Sequence, residues 1–274
     1  MKQLMLEITG NKEISEGFYR MRLESAYLAA NSKPGQFVEV KCSSGPDPLL
    51  RRPLGIHRVV KGGIELLYKI IGRGTGLIAR MKPGDTLDVI GPLGNGFDLS
   101  PHRGADILVA GGHGVAPLVA LADSLVNSVG RIVDREKRGI HVFIGAKTAK
   151  HILCAKDFGK LGCDVHVATE DGSGGSKGLI TNSLAAFLNT IHYPLCTTIY
   201  ACGPTGMLKA VAGIAMEKHI PCQVSLEERM ACGVGVCLGC PVKVTRSPGH
   251  QVTGFEYKMV CKDGPVFNAE DIAW

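Results

Sequence analysis

The 274-residue chain is predicted to be a multi-domain β plus α/β protein. It should comprise an N-terminal antiparallel β-barrel (1–100), a doubly wound parallel α/β sheet (101–224) and a small cysteine-rich unit (225–274). Three observations predict it. Short apolar or alternating segments separated by turn signals fill the first hundred residues. Apolar strands then alternate with helical stretches. Four of the ten cysteines crowd into the last fifth of the chain.

In the first unit, residues 4–8, 19–23, 36–40, 64–70 and 86–90 carry strand patterns. Lys33-Pro34-Gly35, Gly45-Pro46, Lys61-Gly62-Gly63 and Lys82-Pro83-Gly84-Asp85 punctuate them, a spacing that suits a small barrel. The Gly- and Pro-rich stretch 91–103 reads as a linker. Beyond it, strands are expected at 107–110, 141–145, 164–169, 197–202 and 223–225, with helices at 117–129, 179–188 and 206–218 between them. That alternation predicts a parallel sheet with helices on both faces.

Composition narrows the function classes. A net charge of +6 without any long Lys/Arg block argues against nucleic-acid binding. The apolar stretch 107–122 is broken by Gly111, Gly112, His113, Gly114 and Pro117, so it is no spanning helix. The opening MKQLMLEITG lacks a signal-peptide pattern, and a soluble cytoplasmic protein is expected. In such a protein ten cysteines point to metal or redox chemistry more than to disulfides.

The tail supplies the sharpest motif. Cys232, Cys237 and Cys240 follow C-x4-C-x2-C, and twenty residues separate Cys240 from Cys261. This is plant-type [2Fe–2S] spacing. Gly233, Gly235 and Gly239 should give the loop the backbone freedom to wrap an inorganic core. A Zn(Cys)4 site in a binding protein is the alternative, although zinc favours short knuckles at both ends.

Two further regions suggest anionic ligands. Arg52-Pro53-Leu54-Gly55, Leu67-Tyr68-Lys69 and Gly74-Thr75 combine a guanidinium fork with a backbone turn, which suits a pyrophosphate. Gly111-Gly112-His113-Gly114, between a strand and a helix starting near Pro117, suits a phosphate at a helix N-terminus. Cys202-Gly203-Pro204 ends a later strand and should border the same crevice, with the Cys202 thiol able to line a nicotinamide pocket. His113 itself is given no proton chemistry.

In this order the motifs resemble the ferredoxin-reductase-like flavoproteins, and within them the electron transfer subunits of dihydroorotate dehydrogenase B. The residues that carry the closer likeness are Leu50-Arg-Arg-Pro-Leu, Gly91-Pro-Leu-Gly-Asn-Gly-Phe97, Cys202-Gly-Pro-Thr, Ser225-Leu-Glu-Glu-Arg-Met-Ala-Cys-Gly-Val-Gly and Cys261-Lys-Asp-Gly-Pro-Val-Phe267. The resemblance implies one FAD held by Arg52, Pro53, Leu54, Gly55, Leu67, Tyr68, Lys69, Gly74 and Thr75. It implies a [2Fe–2S] cluster on Cys232, Cys237, Cys240 and Cys261. NAD would face Gly111, Gly112, Gly114, Cys202, Gly203 and Pro204. It further implies a separate FMN-containing catalytic subunit that oxidises dihydroorotate, in a 2+2 heterotetramer. The chain departs from the family pattern at Gly55 (usually Ser), at Ala110 and His113 in the glycine loop, at Gly206, and in the long interval between Cys240 and Cys261, where a hairpin around Ser247-Pro248-Gly249 is expected. Related flavin and iron–sulfur NAD(P)H oxidoreductases share the layout, including ferredoxin:NADP oxidoreductases and sulfide dehydrogenases.

Overall fold

The computed structural model describes residues 1–100, 104–129, 139–190, 197–246 and 254–274. Six strands, β1 (Lys2–Ser15), β2 (Phe18–Glu24), β3 (Phe37–Val40), β4 (Arg52–Val60), β5 (Gly63–Lys69) and β6 (Thr86–Leu93), close into a barrel of order β1-β2-β5-β4-β3-β6. Alternation drives it: Leu6, Ile8, Met21, Leu23, Ile64 and Leu66 point inward and are buried. Tight turns join neighbours, as at Gly62, whose φ of +78° a side chain would resist. Helix α1 (Ala26–Asn31) starts at Ser25, whose hydroxyl accepts the Leu28 N–H. Helix α2 (Arg73–Ala79) follows β5.

β4 is not among the strands expected from the sequence, because its first residues, Arg52-Pro53-Leu54-Gly55, carry no strand pattern. Residues 52–55 pair with β3 on one side, but β4 pairs with β5 only from Ile56 onward. Pro53 therefore sits where the ladder has opened, and the opened edge faces a cavity.

The second layer is a seven-stranded sheet. Its strands are β7 (Asp106–Gly111), β8 (Ile140–Ala146), β9 (Asp164–Thr169), β10 (Ser176–Lys177), β11 (Thr198–Cys202), β12 (Cys222–Ser225) and β15 (Val266–Asn268). Their order is β10-β9-β8-β7-β11-β12-β15, parallel except for β15. Helices α3 (Val115–Val129), α4 (Ala155–Lys160), α5 (Ile180–Leu188) and α6 (Thr205–Glu217) connect the strands. The chain reverses direction across the sheet between β7 and β11, which makes their carboxyl ends the switch point where ligands settle.

The stretch expected to be a linker is not one. Residues 91–93 complete β6, pairing with both β1 and β3. Gly94–Phe97 then clasps the tail, with the Asn95 N–H donating to Gly264 O at 2.6 Å and its amide to Asp263 O at 2.9 Å. The tail folds as a hairpin of β13 (Pro241–Arg246) and β14 (Gly254–Met259), followed by helix α7 (Val260–Asp263) and then β15. The turn expected at Ser247-Pro248-Gly249 lies outside the described residues, as does Cys196.

Barrel and sheet meet through a buried histidine. His57 of β4 has no exposed surface, and its Nδ1 lies 2.9 Å from the Ala116 carbonyl in the first turn of α3. Burial lowers its pKa to about 4, so the neutral ring donates that bond and ties α3 to the barrel.

Candidate functional site

A cavity of about 560 Å³ opens where barrel, sheet and tail converge. Arg52, Pro53, Leu54 and Gly55 of β4, Leu67, Tyr68 and Lys69 of β5, and Thr75 form the barrel wall. His113, Ala116, Pro117 and Cys202 form the switch-point wall. Ser225 to Met230, with Pro265, close the third side. The sequence points to the first two walls separately; the third lies in the stretch 225–235 that carries the family likeness.

Alternation along β5 sorts the barrel residues. Leu67 packs toward the sheet core, whereas Tyr68 turns its ring inward and donates its hydroxyl to Asn11 Oδ1 at 2.9 Å. Arg52 lies across the start of α2. An added Cβ on Gly74 would sit 2.8 Å from Arg52 Nε and 3.0 Å from Cys42 Sγ, so a side chain there would displace the guanidinium. Thr75 Oγ1 accepts the Ile71 N–H at 3.0 Å and fixes the turn. An exchangeable cation, a helix start and open space together fit a pyrophosphate. At Gly55 a Cβ would meet nothing within 4 Å, so the missing family serine leaves room without disturbing the wall. Arg51, by contrast, is committed to Asp88 at 2.7 Å.

The two glycine turns of the sheet touch. A Cβ on Gly114 would lie 2.3 Å from the Cys202 carbonyl oxygen, and one on Gly203 would lie 2.9 Å from Gly111 N. Gly111, Gly112, Gly114, Gly203 and Pro204 are not among the cavity's lining residues, nor is Gly74 on the barrel side, while His113 and Cys202 face it. Cys202 is 2% exposed and burial pushes its thiol pKa up, so it stays a neutral apolar lining group. At the end of β8 no acid follows Ala146. Asp171, across from it, is engaged by its own turn, accepting from both Ser173 N–H and Oγ–H.

Four thiols come together in the tail as two pairs. Backbone-to-sulfur hydrogen bonds join Cys237 to Cys232 and Cys261 to Cys240. Backbone donors converge on them: Val234 N and Cys237 N on Cys232 Sγ at 3.4 and 3.5 Å, Gly235 N on Cys261 Sγ at 3.1 Å, and Cys261 N on Cys240 Sγ at 3.5 Å. Burial opposes ionisation of Cys232, yet the N–H groups of Val234, Cys237 and Val236 outweigh it and bring the thiol down to about 6. Burial, reinforced by the Cys240 thiol, pushes Cys261 up to about 12. Two thiol pairs ringed by N–H groups fit a two-iron core, one pair per iron, better than one tetrahedral ion. Gly233 and Gly235 do adopt positive φ, but Gly239 does not; Leu238, at +57°, takes the left-handed position instead.

Beneath this loop lies a residue that sequence patterning did not flag. Glu39 of β3 has no exposed surface and neither carboxylate oxygen has a hydrogen-bond partner among the described residues. A Cβ on Gly233 would fall 2.6 Å from its Cγ, so barrel and cysteine loop touch here. Burial raises the Glu39 pKa from 4.5 to about 7, only partly offset by Arg51. The penalty is absent below pH 4.5, where the carboxyl is neutral folded or unfolded. It grows as pH rises and is complete above about 7, amounting to about 3 kcal/mol. Glu39→Gln is therefore expected to raise the thermal unfolding midpoint at pH 8 and to leave it nearly unchanged near pH 4.5. Comparing the two proteins at each pH cancels His57, which acts in the opposite sense by favouring unfolding as pH falls below 6.5. An equal shift at both pH values would contradict the assignment.

With this geometry in place, comparison with known proteins is informative. The family model described as the iron–sulfur cluster binding domain of dihydroorotate dehydrogenase B matches residues 227–273, which contain all four cysteines. The oxidoreductase NAD-binding domain matches residues 108–213. The dihydroorotate dehydrogenase B (NAD(+)) electron transfer subunit of Desulforamulus reducens is 38% identical over 95% of this chain and 94% of its own length. The chain belongs to that family. The corresponding subunit of Bacillus caldolyticus is 39% identical, with 97% of each chain covered. Among solved structures, a chain of the NADH-dependent reduced ferredoxin–NADP oxidoreductase, studied for flavin-based electron bifurcation, superposes with a TM-score of 0.81 at 29% identity. It spans 99% of this chain and 90% of its own. A Neisseria gonorrhoeae ferredoxin NADP+ reductase with bound FAD and NADP (TM-score 0.65, 19% identity, 80% and 92% covered) shares the fold of barrel and sheet. The expected fold class is thus borne out, and a family of oxidoreductase electron transfer subunits replaces the zinc alternative.

Proposed function

We propose that this chain is the electron transfer subunit of a dihydroorotate dehydrogenase B complex. Electrons from the FMN of a catalytic partner reach NAD+ through a [2Fe–2S] cluster and FAD held by this chain. The observation that carries the proposal is the single cavity walled by the barrel, the switch point of the sheet and the Ser225–Met230 lead-in to the cysteine loop. Flavin exchanges two electrons with nicotinamide as hydride and single electrons with a cluster, which is why such an assembly needs all three.

The chain's residues divide the work. Arg52, with the α2 start at Gly74-Thr75, would neutralise the FAD pyrophosphate, and residues 53–55 and 67–69 would flank the flavin. Gly111, Gly112, Gly114 and the Cys202-Gly203-Pro204 turn would let backbone approach NAD. Cys232, Cys237, Cys240 and Cys261 would hold the cluster, their backbone donors offsetting its negative charge. The corresponding units are 1–100 for FAD, 101–224 for NAD and 225–274 for the cluster. Val236 and Leu238 flank Cys237 and are 77% and 66% exposed, which supports docking of the FMN subunit on this face, in a 2+2 heterotetramer. Among the described residues no helix is long and apolar enough to cross a membrane, and a cytoplasmic location completes the proposal.

The likeness to the ferredoxin–NADP oxidoreductase chain favours one second reading, the small subunit of another flavin and iron–sulfur NAD(P)H oxidoreductase. Its lower identity than that of the curated relatives ranks it behind. Co-purification with an FMN-containing subunit should yield dihydroorotate-dependent NAD+ reduction. Electron transfer only with ferredoxin or polysulfide would overturn the first reading in favour of the second.

A further inference from the structure

His113 stands in the glycine loop between β7 and α3, and its Nε2 lies 3.0 Å from Glu227 Oε2. The contact spans 114 residues of sequence and joins the loop to the lead-in of the cysteine segment. Both side chains line the cavity and are half exposed, at 52% and 50%. The ring is thus held at one nitrogen, and Nδ1 makes no hydrogen bond to the described residues. Lys69, Arg52, Glu228 and Arg229 line the same cavity.

We propose that His113, anchored by Glu227, is a positioning residue that grips the nicotinamide carboxamide and aligns its ring for hydride transfer. This rests on the assignment of the cavity to FAD and NAD above. Hydride transfer requires the two rings in contact, and the barrel and switch-point walls face each other across this cavity. His113 lies on the switch-point wall, beside Ala116 and Cys202. A carboxamide offers one acceptor oxygen and two N–H donors. A neutral ring that donates Nε2–H to Glu227 presents Nδ1 as an acceptor; a protonated ring presents Nδ1–H as a donor. Either form complements the carboxamide, so the grip is indifferent to the charge of the ring. An apolar residue at this position would leave the Glu227 carboxylate with no imidazole and the carboxamide with no partner.

The test uses the full chain loaded with FAD and cluster, and follows flavin bleaching by NADH in stopped flow. The half-reaction balances as NADH, oxidised flavin and one proton giving NAD+ and reduced flavin. For His113→Ile the limiting bleaching rate should fall on the order of tenfold, the equivalent of one lost hydrogen bond, while affinity for ADP-ribose, which lacks the nicotinamide, is kept. His113→Gln, whose amide both donates and accepts, should recover most of the rate. An unchanged rate in His113→Ile, or a parallel loss of ADP-ribose affinity, overturns the role of His113 and leaves the cavity assignment standing. A wild-type flavin that NADH does not reduce overturns both.

Discussion

Replacing Cys261 with alanine is expected to abolish the visible and EPR signature of a [2Fe–2S] cluster while FAD stays bound. Cys261 is 2% exposed, carried by the four-residue helix α7, and paired with Cys240. Its sulfur also receives the Gly235 N–H, so one substitution removes a ligand and the anchor of the loop crossing it. The barrel wall lies on other elements and contributes none of the four thiols, so the flavin site has no reason to fail with the cluster. Dihydroorotate-dependent NAD+ reduction should drop by at least on the order of 100-fold, since loss of mere outer-shell partners costs about 10–100-fold. Flavin reduction by NADH should persist. A variant that keeps its EPR signal would remove Cys261 from the ligand set.

Gly114→Ala is expected to have the largest effect on the nucleotide side. Its new methyl group would meet the Cys202 carbonyl oxygen at 2.3 Å and Gly203 N at 2.6 Å. Both are backbone atoms at the end of a central strand, so no rotamer change relieves the clash. The two halves of the switch point must separate, at a cost of about 1–3 kcal/mol typical of overpacking, and the crevice loses its shape. NADH should no longer bleach the flavin at accessible concentrations, with FAD content and barrel intact. Gly112 provides the contrast. It has a φ of +55°, but a Cβ there meets nothing within 4 Å. Gly112→Ala should cost stability of about 1–2 kcal/mol for the left-handed backbone and weaken NADH binding, while the contact of the two turns survives and flavin reduction is recovered at high NADH. Equal loss in both variants would show that loop conformation, not the contact of the two turns, is what matters.

The reversal of roles along residues 50–60 and 91–97 shows where sequence stops being informative. Arg52-Pro53-Leu54-Gly55 carries no strand pattern, and only its pairing with β3 on one side, with the ladder open on the other, makes it a strand. Gly91-Pro92-Leu93-Gly94 has the composition of a linker, yet its first three residues close the barrel and the fourth packs against Gly264 and Pro265. In both places tertiary pairing overrides local propensity. Glu39 was invisible for the same reason: a glutamate in an alternating strand is read as surface until the cysteine loop covers it.

What sequence alone determined about this protein is whatever acts at short range along the chain. The C-x4-C-x2-C spacing, the strand periods of the barrel, the alternation that builds the sheet, and the glycine turns at Gly111 and Cys202 are all local, because ligand loops and backbone turns are defined within a few residues. Tertiary structure alone decided what those pieces share. It set β15 antiparallel on the sheet edge, brought Ser225 to Met230 into the wall of the cavity, placed Glu39 under Gly233, and joined His113 to Glu227. Each of these contacts links residues tens to hundreds of positions apart, where only the packing of barrel, sheet and tail against one another specifies a neighbour.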